Sequence, residues 1–268
     1  MKTDYTTNTA DHANHLNEAR SKKEGVRPIT ELDPDISVEE AYKIQLHTIE
    51  RNVQSGQRIT GKKIGLTSKV MQEALGVDEP DYGHLLDGMQ VKNGGTISLD
   101  RVLQPKVEGE IAFILKRDLE GPGVTALDVL KATDAVVPAL EIIDSRIKDW
   151  KITLADTVAD NASSGLYLLG EIPTKIEDID LKQMGMALYK NGILQNTGVG
   201  AAALGDPARC VAWLANKLSR YGITLKAGEV ILSGALSSAV EAGPGDHFYA
   251  KFAGLEEVRV SFDEYEER

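Results

Sequence analysis

The sequence predicts an α+β fold whose core is a mixed, strongly curved β-sheet (a β-roll) and whose N-terminal region is helical. Most of the chain has the pattern of short strands, with three or four helices between them. The strands do not alternate regularly with long helices, as they would in a doubly wound parallel sheet. The 268 residues suffice for one large domain or for a small lobe and a main domain.

The clearest helix is predicted over residues 38–54. Ser37 and Glu40 form a capping-box pattern, apolar residues then recur at helical spacing, and Gly56 provides a stop. The other predicted elements are a strand at 58–66, an irregular stretch at 67–100, strands at 107–115 and 135–143, helix 126–133, a strand at 166–169, a hairpin at 186–195, a helix from 206 to 222, a strand at 230–233 and a hairpin of 247–252 with 257–262.

The predicted domain organisation has three parts. Residues 1–25 are a polar tail or a weakly amphipathic helix, residues 26–70 are a helical lobe that packs on the core, and residues 71–268 are the catalytic α+β domain. The lobe and the catalytic domain are expected to act as one unit.

Composition excludes several classes of partner. The formal net charge of −11 and the pI of about 5.0 argue against nucleic acid and anionic membrane surfaces. The single cysteine, Cys210, cannot form an intrachain disulfide, and the polar N-terminus lacks the apolar segment of a signal peptide. We therefore expect a cytoplasmic protein with no membrane partner.

Three carboxylates in predicted strands form the most informative pattern. Glu108 and Glu110 are two residues apart, so their side chains project from one face of a strand. Glu141 lies in a second apolar run, where an unpaired charge is expensive. Together they predict a site for a hard divalent cation, Mg2+ or Mn2+. The alternatives are a solvated acidic face and an ion pair with a basic residue.

Two further residues are candidates for acid–base chemistry. Lys63 lies among apolar residues and is either an ion-pair partner of the carboxylates or a proton donor with a shifted pKa. Its neighbour Lys62, on the opposite face, is expected to be solvated. Asp81 is a turn former by its context, or a general base delivered by the long irregular stretch.

Two segments rich in small polar residues, 156–165 and 233–236, are either turns or cradles for an anion. Other patterns predict no chemistry. The glycines at 198 and 200 follow a hairpin rather than a first βα turn, which argues against dinucleotide binding. The five histidines form no zinc-ligand spacing, and Ser163 and Ser233 lack the context of a catalytic triad. Cys210 is expected to be a small core residue.

Taken together, several blocks of the chain resemble the 2-hydroxypentadienoate (vinylpyruvate) hydratase family of the fumarylacetoacetase-like superfamily. The resemblance runs in unbroken order from about residue 26 to residue 262. The blocks are 63–68 (KIGLTS), 75–83 (LGVDEPDYG), 104–110 (QPKVEGE), 138–146 (PALEIIDSR), 158–164 (VADNASS) and 232–236 (LSGAL).

The resemblance implies a role for each candidate residue. Metal ligands would be Glu108, Glu110 and Glu141, in agreement with the reasoning from strand geometry. The catalytic residues would be Lys63 and Asp81, and the substrate-binding residues would be Ser163, Leu66 and Gly234. One departure is Gly109, where alanine is expected between the two acids, and we expect this glycine to loosen the strand slightly.

The implied activity is a metal-dependent hydration of 2-hydroxypenta-2,4-dienoate to 4-hydroxy-2-oxopentanoate, in the meta-cleavage catabolism of aromatic compounds. A homo-oligomer (a pentamer or decamer) is implied, and a complex with a pathway aldolase or decarboxylase is possible within the family. The alternatives are a 2-oxo-3-hexenedioate (4-oxalocrotonate) decarboxylase of the same family, an acylpyruvate hydrolase and a non-catalytic scaffold partner. The tail of the substrate is left open.

Overall fold

The computed structural model describes residues 7–264, apart from the side chains of residues 7, 74 and 75. Its helices are α1 (Thr7–Lys22), α2 (Ile29–Leu32), α3 (Val38–Gln54), α4 (Lys69–Leu75), α5 (Ala126–Ala132), α6 (Leu154–Ala159) and α7 (Pro207–Ser219). Its strands are β1 (Ile59–Gly65), β2 (Asp81–Leu86), β3 (Thr96–Ile97), β4 (Lys106–Leu115), β5 (Thr133–Ile143), β6 (Ser164–Leu169), β7 (Gly185–Lys190), β8 (Ile193–Val199), β9 (Val230–Ala235), β10 (Val240–Glu241), β11 (His247–Phe252) and β12 (Val258–Phe262).

The strands form two sheets. The larger has the order β2-β1-β9-β4-β5-β6, with β10 also paired to β4, and the smaller has the order β3-β12-β11-β7-β8. The larger sheet is mixed, because β1 and β9 run parallel while its other pairs are antiparallel. The predicted α+β class with a mixed sheet is confirmed. A membrane-spanning helix is not found among residues 7–264, since none there is both long and apolar enough.

Strand β4 separates the apolar core from the candidate site. Val107, Ile111 and Phe113 on one of its faces are fully buried in the main core cluster, which also contains Met186 and Phe252 of the smaller sheet. The alternating positions of the same strand, which include Glu108 and Glu110, point to the opposite face. The pleat of one strand therefore provides both the packing surface and the acidic pair.

Capping signals in the sequence placed helices α3 and α7 correctly. Helix α3 occupies residues 38–54 as predicted, and the side chains of Ser37 and Glu40 form the reciprocal capping bonds. Helix α7 begins with Asp206 as its cap, whose side chain accepts from the backbone of Ala208. Both predictions rest on side chains that satisfy the free N–H groups of a first helical turn.

The prediction of an irregular stretch at 67–100 was wrong in part, because it contains α4, β2 and β3. All six residues of β2 are buried, so the strand lacks the alternation of apolar and polar residues that marks a half-exposed strand. At the N-terminus, residues 7–22 form helix α1, which buries Ala13, Leu16 and Ala19. Small buried residues make only a weak amphipathic pattern.

Candidate metal centre and active site

The register of β4 and β5 brings the three glutamates together. Glu108 lies directly opposite Glu141 across the two strands, and Glu110 is two residues further along the same face of β4. One oxygen of each carboxylate can be chosen so that all three lie within 4.8 Å of one another. Glu141 of the neighbouring strand thus adds a third carboxylate to the two on β4.

These carboxylates lie in a setting that disfavours their charge. Glu110 and Glu141 are fully buried, and Glu108 is half-buried. Burial, together with the neighbouring charge of Glu141, raises the pKa of Glu108 from its ordinary 4.5 to about 8. Burial is also the main cause that raises the pKa values of Glu110 and Glu141. A solvated acidic face, the first alternative from the sequence, does not describe this site.

Several oxygens of the cluster lack a hydrogen-bond partner among the described residues. They are one oxygen of Glu110 and both oxygens of Glu141. The other Glu110 oxygen accepts from the backbone N–H of Gly234 at 2.8 Å. Lys63 forms an ion pair with the cluster, with its Nζ 3.4 Å from Glu141 Oε1. One ammonium group does not balance three carboxylates, so the oxygen-rich cluster fits a hard divalent cation.

Lys63 is held as a charged group. Its ammonium is buried, donates to the carbonyl of Ala162 at 2.8 Å, and lies next to Glu141. Burial by itself would lower its pKa, but the charges of Glu141 and Asp81 outweigh burial and raise the pKa. The expectation that Lys62 is solvated was wrong: it is buried and pairs with Glu229 at 2.6 Å and 2.7 Å.

Asp81 is the first residue of β2, opposite Gly65 of β1, rather than part of a loop. Its Oδ2 accepts a hydrogen bond from Thr157 Oγ1 at 2.8 Å, while its Oδ1 has no partner among the described residues. A Cβ at Gly65 would clash with Asp81 Oδ1 and approach Lys63 Nζ to 3.1 Å. Glycine at this position is what allows the two candidate catalytic groups to sit beside the strand.

Thr157 is a site residue that the sequence did not single out. It is buried on α6, contacts Asp81, and its hydroxyl also lies 3.4 Å from Ser163 Oγ. Its only signal in the sequence was its position in the small polar segment 156–165. Nothing in that segment distinguishes a side chain that orients a carboxylate from one that forms a turn.

Residues Asn161, Ala162 and Ser163 form a left-handed turn. Their φ values are 54°, 52° and 51°, a backbone region that costs energy for residues other than glycine. The side chain of Asn161 fixes the turn, because it accepts from His84 N at 2.8 Å and donates to His84 O at 2.9 Å. The turn directs the Ala162 carbonyl to Lys63 and places Ser163 at the wall of a cavity.

The cavity beside the three-glutamate cluster has a volume of about 660 Å³. Among the predicted site residues, its wall contains Lys63, Asp81, Glu108, Leu66 and Ser163. Its other lining residues are mainly apolar or small, with one further cation; they include Thr67, Val70, Met71, Lys106, Ile143, Trp150, Ile152, Asn196, Ala235 and Leu236.

Gly234 lies next to Glu110 and is not among the residues that line the cavity. Its φ is +102°, and a Cβ there would clash with the side chain of Thr67. Its N–H binds Glu110, so its place in the structure is next to a metal-ligand candidate. The neighbouring residue, Ala235, lines the cavity.

Gly109 has a packing role on the other face of β4. A Cβ at this position would lie 3.1 Å from Met186 Cε and Sδ and 3.5 Å from Phe252 Cζ. The glycine therefore makes room for the side chains of the smaller sheet. This contact, which is distant in sequence, could not be inferred from the strand pattern.

Comparison with known proteins identifies relatives over most of the chain. Residues 73–262 match the family described as fumarylacetoacetate (FAA) hydrolase C-terminal. A 2-hydroxyhexa-2,4-dienoate hydratase from Comamonas testosteroni is 48% identical over 93% of this chain and 95% of its own. A 2-hydroxypent-2,4-dienoate hydratase from Pseudomonas putida is 53% identical over 78% of this chain and 94% of its own.

A solved structure has nearly the same fold. The 4-oxalocrotonate decarboxylase from Pseudomonas putida G7, complexed with magnesium and adipate, is 35% identical with a TM-score of 0.93. The match covers 98% of this chain and 100% of that chain. The similarity thus extends from the smaller sheet to the N-terminal helices.

Proposed function

The chain belongs to the fumarylacetoacetate hydrolase C-terminal family, and we propose that it is a divalent-metal-dependent hydratase of 2-hydroxypenta-2,4-dienoate. The relatives at 48% and 53% identity carry hydratase names and match this chain over 93% and 78% of its length. The product is 4-hydroxy-2-oxopentanoate, so the enzyme is a hydro-lyase of meta-cleavage catabolism.

The observation that carries the proposal is the cluster of three carboxylates: Glu110 and Glu141 are buried with oxygens that lack a hydrogen-bond partner among the described residues, and Glu108 lines the cavity. Glu108, Glu110 and Glu141 would hold Mg2+ or Mn2+, as the magnesium complex of the related decarboxylase supports. When bound, such a cation supplies Lewis-acid polarisation of the substrate's C2 oxygen.

Asp81 is proposed as the group that moves protons. The C2 hydroxyl of the dienol loses its proton and C5 gains one, which gives an enone with a C3–C4 double bond. The oxygen of water then bonds to C4, its proton is taken up by Asp81, and C3 is protonated in turn. The free Oδ1 of Asp81 can accept a proton because Thr157 binds only Oδ2 and fixes the orientation of the carboxylate.

Lys63 is proposed as a permanent positive charge and hydrogen-bond donor. Its raised pKa keeps it protonated at neutral pH, so it is not a base. Anchored by the carbonyl of Ala162, it would stabilise negative charge that develops on the substrate's oxygens. Ser163 and Leu66, at the cavity wall, are proposed as substrate contacts, and Gly234 as the support of Glu110.

The proposed function is tested by an ultraviolet time course with freshly prepared 2-hydroxypenta-2,4-dienoate, with and without Mg2+. We expect loss of the dienol absorbance that depends on the metal, together with formation of 4-hydroxy-2-oxopentanoate in product analysis. A Glu108→Gln variant provides the matched control, since it should lose this reaction. Metal-independent or absent turnover of the wild-type enzyme would refute the proposal.

A decarboxylase acting on 2-oxo-3-hexenedioate is the second candidate. It is favoured by the TM-score of 0.93 to the decarboxylase structure and by Lys106, a cation in the cavity wall that could pair with a distal carboxylate. The same protein preparations, assayed with the two substrates, distinguish the two candidate activities. Release of CO2 from 2-oxo-3-hexenedioate without hydration of the pentadienoate would favour the decarboxylase.

Three wider predictions accompany the proposed function. We propose a cytoplasmic location, and a homo-oligomer (a pentamer or decamer) that can associate with a pathway aldolase or decarboxylase. We also retain the division into residues 1–25, a lobe at 26–70, whose helices pack on the core and whose strand β1 belongs to the larger sheet, and a catalytic domain at 71–268. Size-exclusion chromatography with light scattering tests the oligomer.

A further inference from the structure

A second cavity lies on the other side of the left-handed turn from the catalytic cavity. It has a volume of about 350 Å³ and is lined by residues of α1, α3, the segment after β2 and the turn region 159–166. This volume is enough for a small organic molecule. None of the residues proposed for metal or substrate binding lines it.

Several polar side chains at this cavity have no hydrogen-bond partner among the described residues. The side chains of Arg20, Asn52 and Gln57 line it and form no hydrogen bond with described residues. Arg101 uses one guanidinium nitrogen, which donates to the carbonyl of Gly88 at 2.8 Å. Guanidinium groups bind carboxylate and phosphate oxygens through paired hydrogen bonds.

The charged side chains that line the cavity are three arginines, Arg20, Arg101 and Arg146, and two acids, Asp100 and Asp160. Arg20 is affected mainly by the positive charge of Arg146, which lowers its pKa. Arg146 itself is buried and pairs with Asp160, and the second acidic residue of the wall, Asp100, pairs with Lys23.

Both acids of the cavity wall, Asp100 and Asp160, are thus engaged in ion pairs. Arg20 and Arg101 form no ion pair with a described residue, so their guanidinium groups remain available to an anion, while the charges of Asp160 and Asp144 act on Arg20 from beyond ion-pair distance.

Ser164 gives an independent indication of a ligand. It lines the cavity, is 99% buried, and its Oγ has no hydrogen-bond partner among the described residues. Its own carbonyl is used, because Arg146 donates to it at 2.8 Å. A buried hydroxyl without a partner carries a free-energy cost that a ligand or an ordered water can remove.

We propose that this second cavity binds a small oxyanion, whose carboxylate or phosphate group pairs with Arg20 and Arg101 and accepts a hydrogen bond from Ser164. The site is separate from the metal centre but shares the turn 160–164 with it. Ser164 follows Ser163 of the catalytic wall, and the same turn supplies the carbonyl that anchors Lys63. Occupation of the second cavity therefore changes the KM or kcat of the catalytic site.

The test is calorimetric titration of the metal-loaded protein with inorganic phosphate and, separately, with acetate, at an ionic strength held constant with chloride. We expect saturable binding of one anion per chain. The anion with the higher affinity, phosphate or acetate, shows whether the natural ligand presents a phosphate or a carboxylate group. Arg20→Gln and Arg101→Gln should each weaken binding by about tenfold or more, because a charge-assisted hydrogen bond is lost.

Control variants distinguish anion binding at the second cavity from general effects of a substitution. Arg209→Gln removes an exposed arginine of α7 and should leave anion binding unchanged. Arg20→Lys, which retains the charge, should restore part of the affinity, and Glu108→Gln should retain anion binding because the metal centre is not involved. Thermal melts of each variant establish that it is folded.

Three results would overturn the inference. The first is absence of saturable binding at tens of millimolar anion, and the second is binding that both arginine variants retain. The third is binding that disappears in Glu108→Gln, which would assign it to the metal centre. Binding that leaves KM and kcat unchanged would retain the site and overturn its coupling to catalysis.

Discussion

The raised pKa of Glu108 predicts that the metal-free protein loses stability as the pH rises. The folded protein holds this proton up to about pH 8, whereas an unfolded chain releases it near 4.5. Between these values the folded state binds more protons than the unfolded state, so the free energy of unfolding falls with increasing pH. Glu110 and Glu141 act in the same direction, since their pKa values are also raised.

The magnitude follows from the two pKa values of Glu108. The difference between 4.5 and about 8 corresponds to at most about 5 kcal/mol, because each pKa unit is worth roughly 1.36 kcal/mol. Glu108 is half-buried and partly solvated by the cavity, so we expect about half of this, roughly 2–3 kcal/mol. For a chain of this size the melting temperature should fall by roughly 5–10 °C.

Lys63 does not oppose this trend. Its pKa is raised above the ordinary 10.5, so its contribution to stability is fully present below that pH and constant between pH 5 and 8. A bound divalent cation, in contrast, replaces the proton at the carboxylates. Excess Mg2+ should therefore abolish most of the pH dependence.

The assay is thermal unfolding followed by circular dichroism from pH 5 to pH 8, in EDTA and in excess Mg2+. The Glu108→Gln variant should show a smaller pH dependence in EDTA, whereas Glu241→Gln, which changes an exposed acid, should behave as the wild type. A metal-free protein whose stability is flat or rises over this range would refute the reasoning about the buried carboxylates.

Other substitutions test individual residues. Asp81→Asn should retain metal binding but lower kcat by about 10²–10⁴, the range for removal of a general base, and an unchanged kcat would place the base elsewhere. Thr157→Val should lower kcat by roughly tenfold with little change in KM, because the orientation of Asp81 is lost; equal effects in both would indicate a binding role. Glu110→Gln should weaken Mn2+ affinity in calorimetry by at least about tenfold, and unchanged affinity would exclude it as a ligand. Gly109→Ala should change the melting temperature by only a few degrees, because the flexible Met186 can yield to a new Cβ while the strand gains about 0.5–1 kcal/mol; a large loss would show that the contact is rigid.

The sequence was sufficient for the features that depend on local patterns. The caps at Ser37 and Asp206 marked the starts of α3 and α7, and the two-residue spacing of Glu108 and Glu110 implied a shared face. The cost of Glu141 in an apolar run suggested a common site with the pair. Cross-strand register, which places Glu141 directly opposite Glu108, is set by tertiary pairing and needed the structure.

Features that depend on distant contacts could not be predicted. Strand β2 is buried on both faces, so its pattern did not distinguish it from a loop with apolar residues. Lys62 is paired with Glu229, which is far away in sequence, and for that reason its burial was missed. Thr157 gains its role only because α6 packs beside Asp81.

The most direct test of the metal centre is an anomalous-diffraction map from crystals of the protein grown with Mn2+. We predict one strong peak per chain, bonded to oxygens of Glu108, Glu110 and Glu141 and open to the cavity that contains Lys63 and Asp81. A peak elsewhere, or none at full Mn2+ saturation, would contradict the assignment of these three glutamates as the centre of a metal-dependent hydratase.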